Sequence, residues 1–241
     1  MCRRSRSINV KLQEVKRAFD NADRYLKGNS SILVRVRLIN EMVKDLKFGR
    51  YLELGCGDGS IALSLLNENK KLVLVDLSDV MIDKAKKRTP PALVKNVTYT
   101  VSDIYSFQSE EKFDLVICVG VLAHVPSIER LIIKIGSLLK DDGHLVLQYT
   151  EGNSLFGWIN YKFMRRSRGG YEVNETSQSY LEPLLKEQNL KLLDKKIYSD
   201  SGFGLGKLNT DLAYVFKVLT SKLDLACVFS EVIMLLERAR Q

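Results

Sequence analysis

Residues 53–59, with the sequence ELGCGDG, are the segment whose residue types and spacing best suit ligand binding. They follow a short apolar run at residues 51–54 and precede a segment, 59–68, of helical composition. Glycines at such a strand-to-helix turn adopt tight backbone angles and let a ligand approach the main chain closely. The N-terminus of the following helix would offer N–H groups to a carboxylate or a phosphate. The turn therefore predicts a site for a ligand with an anionic group.

The spacing of the glycines narrows the choice of ligand. A dinucleotide-binding turn would place its third small residue at position 60, whereas the third glycine here is Gly59. A phosphate loop ending in Gly-Lys-Ser or Gly-Lys-Thr is absent from the sequence. Asp76 ends the next apolar run, where a carboxylate can accept hydrogen bonds from both ribose hydroxyls. The pattern favours a ligand that contains an adenosine.

His124 is the candidate general base. It follows the apolar run 113–119, which has the composition of a central buried strand. A neutral imidazole at the end of such a strand can take a proton from a hydroxyl group of a bound molecule. The alternative is a histidine that only hydrogen-bonds its own loop.

Short apolar runs alternate with helix-length segments, and these elements must position the candidate residues. Strands are predicted near 51–54, 71–76, 97–101, 113–119 and 144–148, with helices near 59–68, 79–88 and 127–140. This alternation predicts an α/β fold, a doubly wound, mostly parallel, Rossmann-like sheet with helices on both faces. Helices near 8–27 and 32–47 precede it as an N-terminal cap. Later in the chain, a helix is predicted near 177–188, a strand near 190–198, a helix near 210–224 and a strand near 227–236.

Between residues 45 and 150 the motifs and their order resemble those of the class I S-adenosylmethionine-dependent methyltransferases. ELGCGDG resembles the motif that cradles the methionine end of the cofactor, and Asp76 matches the ribose-binding acid. The segment Ser102-Asp103-Ile104, the region 114–124 and the run LLKDDGHLVL match the later motifs.

The resemblance implies a set of cofactor-binding residues: Glu53, Gly55, Cys56, Gly57, Gly59, Asp76, Leu77, Met81, Asp103, Ile104, Val119 and, from the N-terminal region, Tyr25. Asp103 would hold the adenine amino group, and Ile104 would pack on the ring. His124 would lie near the transferred methyl group. Some relatives carry a Glu-x-x-Glu-His metal site here, but Gly120 and Ala123 replace both acids. No metal is therefore predicted.

The chain is interpreted as one domain, 1–241, with a helical cap (1–48), a cofactor-binding core (49–150), and an acceptor lid with the last part of the sheet (151–241). An insertion after the fifth strand, at 151–175, contains Phe156, Trp158, Tyr161 and Phe163 and then Arg165, Arg166 and Arg168. By its location it could receive an anionic or aromatic acceptor. The alternative is that its aromatic residues belong to the core.

Charge and composition limit the partners. The net charge is +8, and residues 1–50 carry 13 Lys and Arg against 5 Asp and Glu, which accounts for the whole excess. A basic region can attract RNA, an anionic substrate or lipid headgroups, or can be a solvated helical surface. No apolar run is long enough to cross a membrane. The four scattered cysteines are typical of reduced thiols, which predicts a cytoplasmic protein.

These observations predict an enzyme that transfers a methyl group from S-adenosylmethionine to an oxygen or nitrogen of a small molecule, leaving S-adenosylhomocysteine. The acceptor would be a sugar, a lipid precursor or a secondary metabolite. One alternative is an RNA or protein methyltransferase that uses the basic N-terminal region. The other is a regulatory protein that binds S-adenosylmethionine without catalysis.

Overall fold

The computed structural model describes residues 2–20, 30–155, 158, 173–174, 176–198, 214–215, 218–219 and 230–240. For residues 2–9 and 30 it describes the main chain only. Its centre is a seven-stranded sheet in the order β3-β2-β1-β4-β5-β7-β6. The strands are β1 (Arg50–Leu54), β2 (Lys71–Asp76), β3 (Val97–Val101), β4 (Phe113–Cys118), β5 (Leu139–Thr150), β6 (Leu190–Tyr198) and β7 (Glu231–Arg238). The first five are parallel, and β7 runs antiparallel to β5 and β6. The predicted doubly wound, mostly parallel α/β sheet is confirmed.

Five α-helices surround the sheet in the described residues: α1 (Cys2–Asp20), α2 (Ser30–Val43), α3 (Asp79–Arg88), α4 (Ile128–Leu138) and α5 (Gln178–Glu187). A serine caps the N-terminus of each of the last three. The side-chain oxygens of Ser78, Ser127 and Ser177 accept the N–H of Met81, Arg130 and Tyr180, respectively. Such caps satisfy one of the backbone donors that a first helical turn leaves unpaired.

Apolar side chains cover both faces of the sheet. In β4, Val116 and Cys118 belong to the cluster that contains the buried face of α4, while Leu115 and Ile117 belong to the cluster on the opposite face with α2. Alternate residues of a strand point to opposite faces, so the fully buried part of β4, from Leu115 to Cys118, must be apolar at every position. The predicted helices on both faces follow from this requirement.

The helix predicted at 59–68 is wrong. The segment contains only a short 3-10 helix, Ala62–Leu65. Glu53 Oε2 accepts the N–H of Ala62 at 3.2 Å, and the Tyr51 hydroxyl donates to the carbonyl oxygen of Ala62 at 3.0 Å. Because two side chains of β1 bond the main chain at Ala62, both of its groups already have partners. The helix N-terminus expected beside the glycine turn is therefore not formed.

Candidate active site

A pocket opens at the carboxyl ends of β1 to β4, beneath α1. It encloses about 770 Å³ of space between protein atoms, including its open side. Its walls come from α1 and from the turns after four strands: Leu12, Val15, Lys16, Phe19, Gly55, Gly57, Asp76, Leu77, Ser78, Met81, Asp103, Ile104, Tyr105, Val119, Gly120, Val121, His124 and Val125. The position agrees with the rule that open α/β sheets bind ligands at the carboxyl ends of their strands.

The glycine turn presents bare main chain to this pocket. Gly55 and Gly57 have positive φ angles of 70° and 53°, which glycine adopts without steric cost. A Cβ atom on Gly55 would lie 2.5 Å from Cγ2 of Val121, whereas one on Gly57 would have no protein atom within 4 Å. Gly55 thus allows close packing inside the protein, and Gly57 leaves space that a ligand can use.

Asp76 lies against this turn and is held by two backbone donors. Its Oδ2 accepts the N–H of Gly57 at 2.8 Å, and its Oδ1 accepts the N–H of Ser78 at 2.9 Å. Burial raises the pKa of Asp76, and these hydrogen bonds oppose the rise. Each carboxylate oxygen can accept more than one hydrogen bond. The side chain is therefore positioned to receive hydroxyl groups of a ligand.

Three residues of the predicted set shape the turn without being among those that line the pocket. Glu53 is buried beneath it, and burial raises the pKa of its carboxyl group well above the ordinary value. Cys56 is buried as well, and Gly59 faces Leu63 and Ala85. Tyr25 lies outside the described residues, as do Arg165, Arg166 and Arg168.

The far end of the pocket is formed after β2 and β3. Of the residues that the resemblance implied, Leu77, Met81, Asp103 and Ile104 line it. Asp103 Oδ1 accepts the N–H of Tyr105 at 2.9 Å, which fixes the turn that carries Ile104. The pocket-lining Tyr105 was not predicted.

His124 lies on the opposite wall, in the loop after β4. Its ring packs against the ring of Phe19 from α1 in a T-shaped arrangement, with a centroid distance of 5.3 Å. Burial lowers the pKa of His124 to about 4, and the charges of Lys11 and Arg35 act in the same direction. The imidazole is therefore neutral at pH 7 and can accept a hydrogen bond or a proton.

Helix α1 covers the pocket and is fixed beside the turn after β2. Lys16 Nζ lies 3.0 Å from Asp20 Oδ2 and 2.5 Å from Asp79 Oδ1. The Ser78 hydroxyl donates to Asp20 Oδ1 at 2.7 Å. These contacts place Phe19 over the pocket. Because Lys16 and Asp79 are 63 residues apart, local sequence patterns did not reveal this closure.

A buried polar cluster adjoins the wall at Gly120. Arg35 Nε donates to the Tyr198 hydroxyl at 2.8 Å, and Arg35 Nη2 lies 3.6 Å from Glu231 Oε2. Gln148 also donates to Glu231, and its own Oε1 accepts the N–H of Gly120 at 2.7 Å. The strand ends β5, β6 and β7 thereby fix the start of the loop that carries His124.

The other reactive side chains in the described residues do not form a metal site or a nucleophilic site. Among the described residues, no group of three or more His, Cys, Asp or Glu side chains could hold a metal ion. Burial raises the pKa of the Cys118 thiol, which disfavours the nucleophilic thiolate. None of the helices in the described part of the chain is long and apolar enough to span a membrane.

Comparison with known proteins gives a sequence match and a structural match. A family described as "Methyltransferase domain" matches residues 46–191. Ubiquinone biosynthesis O-methyltransferase of Coxiella burnetii is 31% identical over 113 residues, which cover 46% of this chain and 47% of the relative. The chain thus matches about half the length of this relative.

Two solved structures share the fold. Magnesium protoporphyrin IX methyltransferase from Synechocystis with bound S-adenosylhomocysteine superposes with a TM-score of 0.68 at 16% identity, covering 95% of this chain and all of the other. N-methyltransferase NodS from Bradyrhizobium japonicum, also with S-adenosylhomocysteine, gives a TM-score of 0.65 at 16% identity, covering 95% and 99%. At 16% identity, these structural matches show that the fold is shared.

Proposed function

The chain belongs to the methyltransferase-domain family, within the class I S-adenosylmethionine-dependent methyltransferases, and we propose that it methylates an oxygen or nitrogen of a small molecule with S-adenosylmethionine. The observation that carries this proposal is the pairing of Gly57 with Asp76 at the pocket. A carboxylate suited to ribose hydroxyls is hydrogen-bonded to a glycine that leaves room for a ligand.

The pocket residues suit the parts of this cofactor. Gly55 and Gly57 would hold its methionine end, Asp76 its ribose, and Asp103 with Ile104 its adenine. Leu77, Met81 and Val119 would pack against it, and Tyr25 would close over it. Glu53, Cys56 and Gly59 would act through the shape of the turn. When bound, the cofactor supplies a methyl group on a positively charged sulfur.

Alignment of the acceptor is the main task left to the protein, because methyl transfer is an in-line displacement. His124 is the candidate for this task, as a hydrogen-bond acceptor or general base. The low pKa that keeps His124 neutral also makes it a weak base. We therefore propose that it orients the proton-bearing group and takes up a proton where the acceptor is acidic enough.

We propose that the acceptor is anionic or aromatic. The positive charges of Lys11 and Arg35 act at His124, and they would disfavour a protonated amine there and favour an ionised oxygen. The aromatic ring of Phe19 lies beside the same histidine. A carboxylate- or phenol-bearing compound fits these surroundings better than an ammonium compound does.

The two alternatives receive less support. Several basic residues of the N-terminal region are bonded within the protein, as Lys16 is to Asp79, which weakens the case for RNA. A regulatory protein would need only the residues that hold the cofactor, and the presence of His124 in the same pocket favours an enzyme. A cytoplasmic location is part of the proposal, because the described cysteines, Cys56 and Cys118, are free and buried.

Calorimetric titration with S-adenosylmethionine, S-adenosylhomocysteine and NAD tests the cofactor. We expect binding of the two sulfur compounds and none of NAD. Asp76→Ala should weaken binding at least tenfold, since hydrogen bonds to a charged group contribute about 1.5–3 kcal/mol. Asp83→Ala, on the exposed side of α3, is the matched control and should bind normally. A folded wild-type protein that ignores both sulfur compounds would refute the proposal.

Turnover is tested with three matched kinds of acceptor: benzoate-type phenols, which are anionic, their amides, which are neutral, and the corresponding benzylamines, which are cationic. Methylation of the anionic member in preference to the cationic one is expected. Cofactor binding without turnover of any acceptor class would favour the regulatory protein instead.

A further inference from the structure

Asn174 joins three separate parts of the molecule. It precedes α5, close to the bridge between Glu151 and Thr176. Its Nδ2 donates to the carbonyl oxygens of Leu122, at 2.8 Å, and Val125, at 2.7 Å. Its backbone N–H donates to the carbonyl oxygen of Ala123 at 2.9 Å. Asn174 therefore bonds three carbonyl groups of the His124 loop, two before the histidine and one after it.

The remaining polar atom of this side chain contacts the helix above the pocket. Asn174 Oδ1 accepts a hydrogen bond from Lys11 Nζ of α1 at 2.9 Å. The residues joined in this way are 49, 52 and 163 positions apart in the chain. The same side chain thus contacts both the His124 loop and α1.

An amide side chain is the group that this position requires. It offers two N–H donors and a carbonyl acceptor, and here the donors meet two carbonyls while the acceptor meets an ammonium group. An aspartate would place a charged acceptor against the two carbonyls, and an alanine would leave both without this donor. The arrangement therefore depends on the chemistry of the residue as well as on its size.

We propose that Asn174 is a positioning residue that sets the conformation of the His124 loop and ties it to α1. Its effect on turnover rests on the proposed methyl transfer, in which His124 orients the acceptor. Its effect on the loop does not, and so it can be measured without any cofactor.

The loop conformation can be followed through the titration of His124 by NMR. The chain has two histidines, so a His144→Gln variant assigns both signals. Lys11 from α1 and Arg35 from α2 are the charged groups that act on His124, and Phe19 covers one edge of its ring. Any change in this packing or in these charges changes the titration.

We expect both substitutions of Asn174 to raise the pKa of His124. Asn174→Ala should do so because the loop opens to water, and Asn174→Asp because a carboxylate next to Lys11 offsets its charge; a change of about one unit or more is the expected scale. Asn153→Ala, an exposed asparagine in the same connection, is the matched control and should titrate as the wild type does.

A second measurement separates positioning from loss of folding. Lys11→Met removes the tie to α1 and leaves the loop bonds of Asn174 in place. We expect it to fold, to raise the pKa of His124 by removing a positive charge, and to release S-adenosylhomocysteine several-fold faster than the wild type. Unchanged titration of His124 in a folded Asn174→Ala variant would overturn the proposal, even where cofactor binding is normal. A protein that shows the titration shifts but binds no cofactor would refute the proposed function and retain the role of Asn174.

Discussion

Gly57 and Gly59 share a left-handed backbone conformation, with φ of 53° and 74°, but differ in what surrounds them. Gly57 lines the pocket, while a Cβ on Gly59 would meet the flexible end of Leu63. Alanine in this conformation costs about 1–2 kcal/mol in either place. We expect Gly57→Ala to weaken S-adenosylhomocysteine binding at least tenfold beyond this strain, because the new methyl group occupies ligand space.

Gly59→Ala is the control for this substitution. It should lower the free energy of unfolding measured in urea by about 1–2 kcal/mol. Because Gly59 would act only through the shape of the turn, the substitution should weaken the binding of S-adenosylhomocysteine much less than Gly57→Ala does. Equal losses of affinity in the two variants would show that strain in the turn, and not contact with the ligand, controls binding.

His124 also makes stability depend on pH. Its pKa is about 4 in the folded protein against an ordinary 6.5, so the unfolded chain takes up this proton first as the pH falls. The folded state therefore loses stability between pH 6.5 and 4, by up to roughly 3 kcal/mol from this residue. Above about pH 7.5 the residue contributes almost no pH dependence, because it is then neutral in both states.

The contribution of His124 is isolated by comparison with His124→Gln. Carboxylates titrate in the same range in both proteins and cancel in the difference. Urea unfolding at pH 7 and pH 4.5 should show that the wild type loses more stability than the variant does. An equal loss in both proteins would mean that His124 titrates near its ordinary pKa.

At the residue scale, a sequence carries information where the contacts are local to strand ends. Gly57 follows β1 and Asp76 ends the adjacent parallel strand β2, so their meeting can be predicted from strand ends alone. The sequence carries no comparable signal for Asn174 and Lys16. The side-chain partners of Asn174 lie 49 or more residues away, and Asp79, which bonds Lys16, lies 63 residues away. An asparagine and a lysine in polar segments look the same whether or not such contacts form.

At the scale of elements, α1 covers the pocket and is held there in part by Lys16. Lys16 is partly exposed and bonded to Asp20 and Asp79, and exposed ion pairs contribute about 0.2–1 kcal/mol. We expect Lys16→Met to accelerate dissociation of S-adenosylhomocysteine by up to about fivefold. In about 0.5 M salt, which screens exposed ion pairs, the dissociation rate of the wild type should approach that of the variant.

Lys86→Met tests whether this effect is local to the cover. Lys86 forms a similar exposed pair, with Asp83 at 3.1 Å on α3, but is not among the residues that line the pocket. Stopped-flow dissociation should be unchanged in this variant. Normal dissociation from Lys16→Met would show that apolar packing alone holds α1 in place.

Strands were easier to predict than helix boundaries for a physical reason. A buried parallel strand such as β4 must be apolar on both faces, which leaves a clear run in the sequence. The segment after Gly59 has helical composition, yet Tyr51 and Glu53 bond the main chain at Ala62. Tertiary contacts of this kind override local propensity and are invisible to a local pattern.

For the molecule as a whole, the distribution of charge bears on the choice between small-molecule and RNA acceptors. The excess of +8 lies in the first 50 residues. Within them, Lys11, Lys16 and Arg35 bond to Asn174, Asp79 and Glu231. Cations that hold the pocket together are turned toward the protein, which leaves fewer for phosphate groups.

We therefore expect weak RNA binding at physiological salt. Fluorescence anisotropy with a labelled single-stranded RNA should give a dissociation constant of about 10⁻⁴ M or weaker, the upper end of non-specific binding. The affinity for S-adenosylhomocysteine should be unaffected by the RNA. A micromolar dissociation constant that rises steeply with salt would contradict this expectation, because such a slope measures counterions released by phosphate contacts. RNA would then replace the small molecule as the proposed acceptor, while the roles of Gly57 and Asp76 in binding the cofactor would stay as proposed.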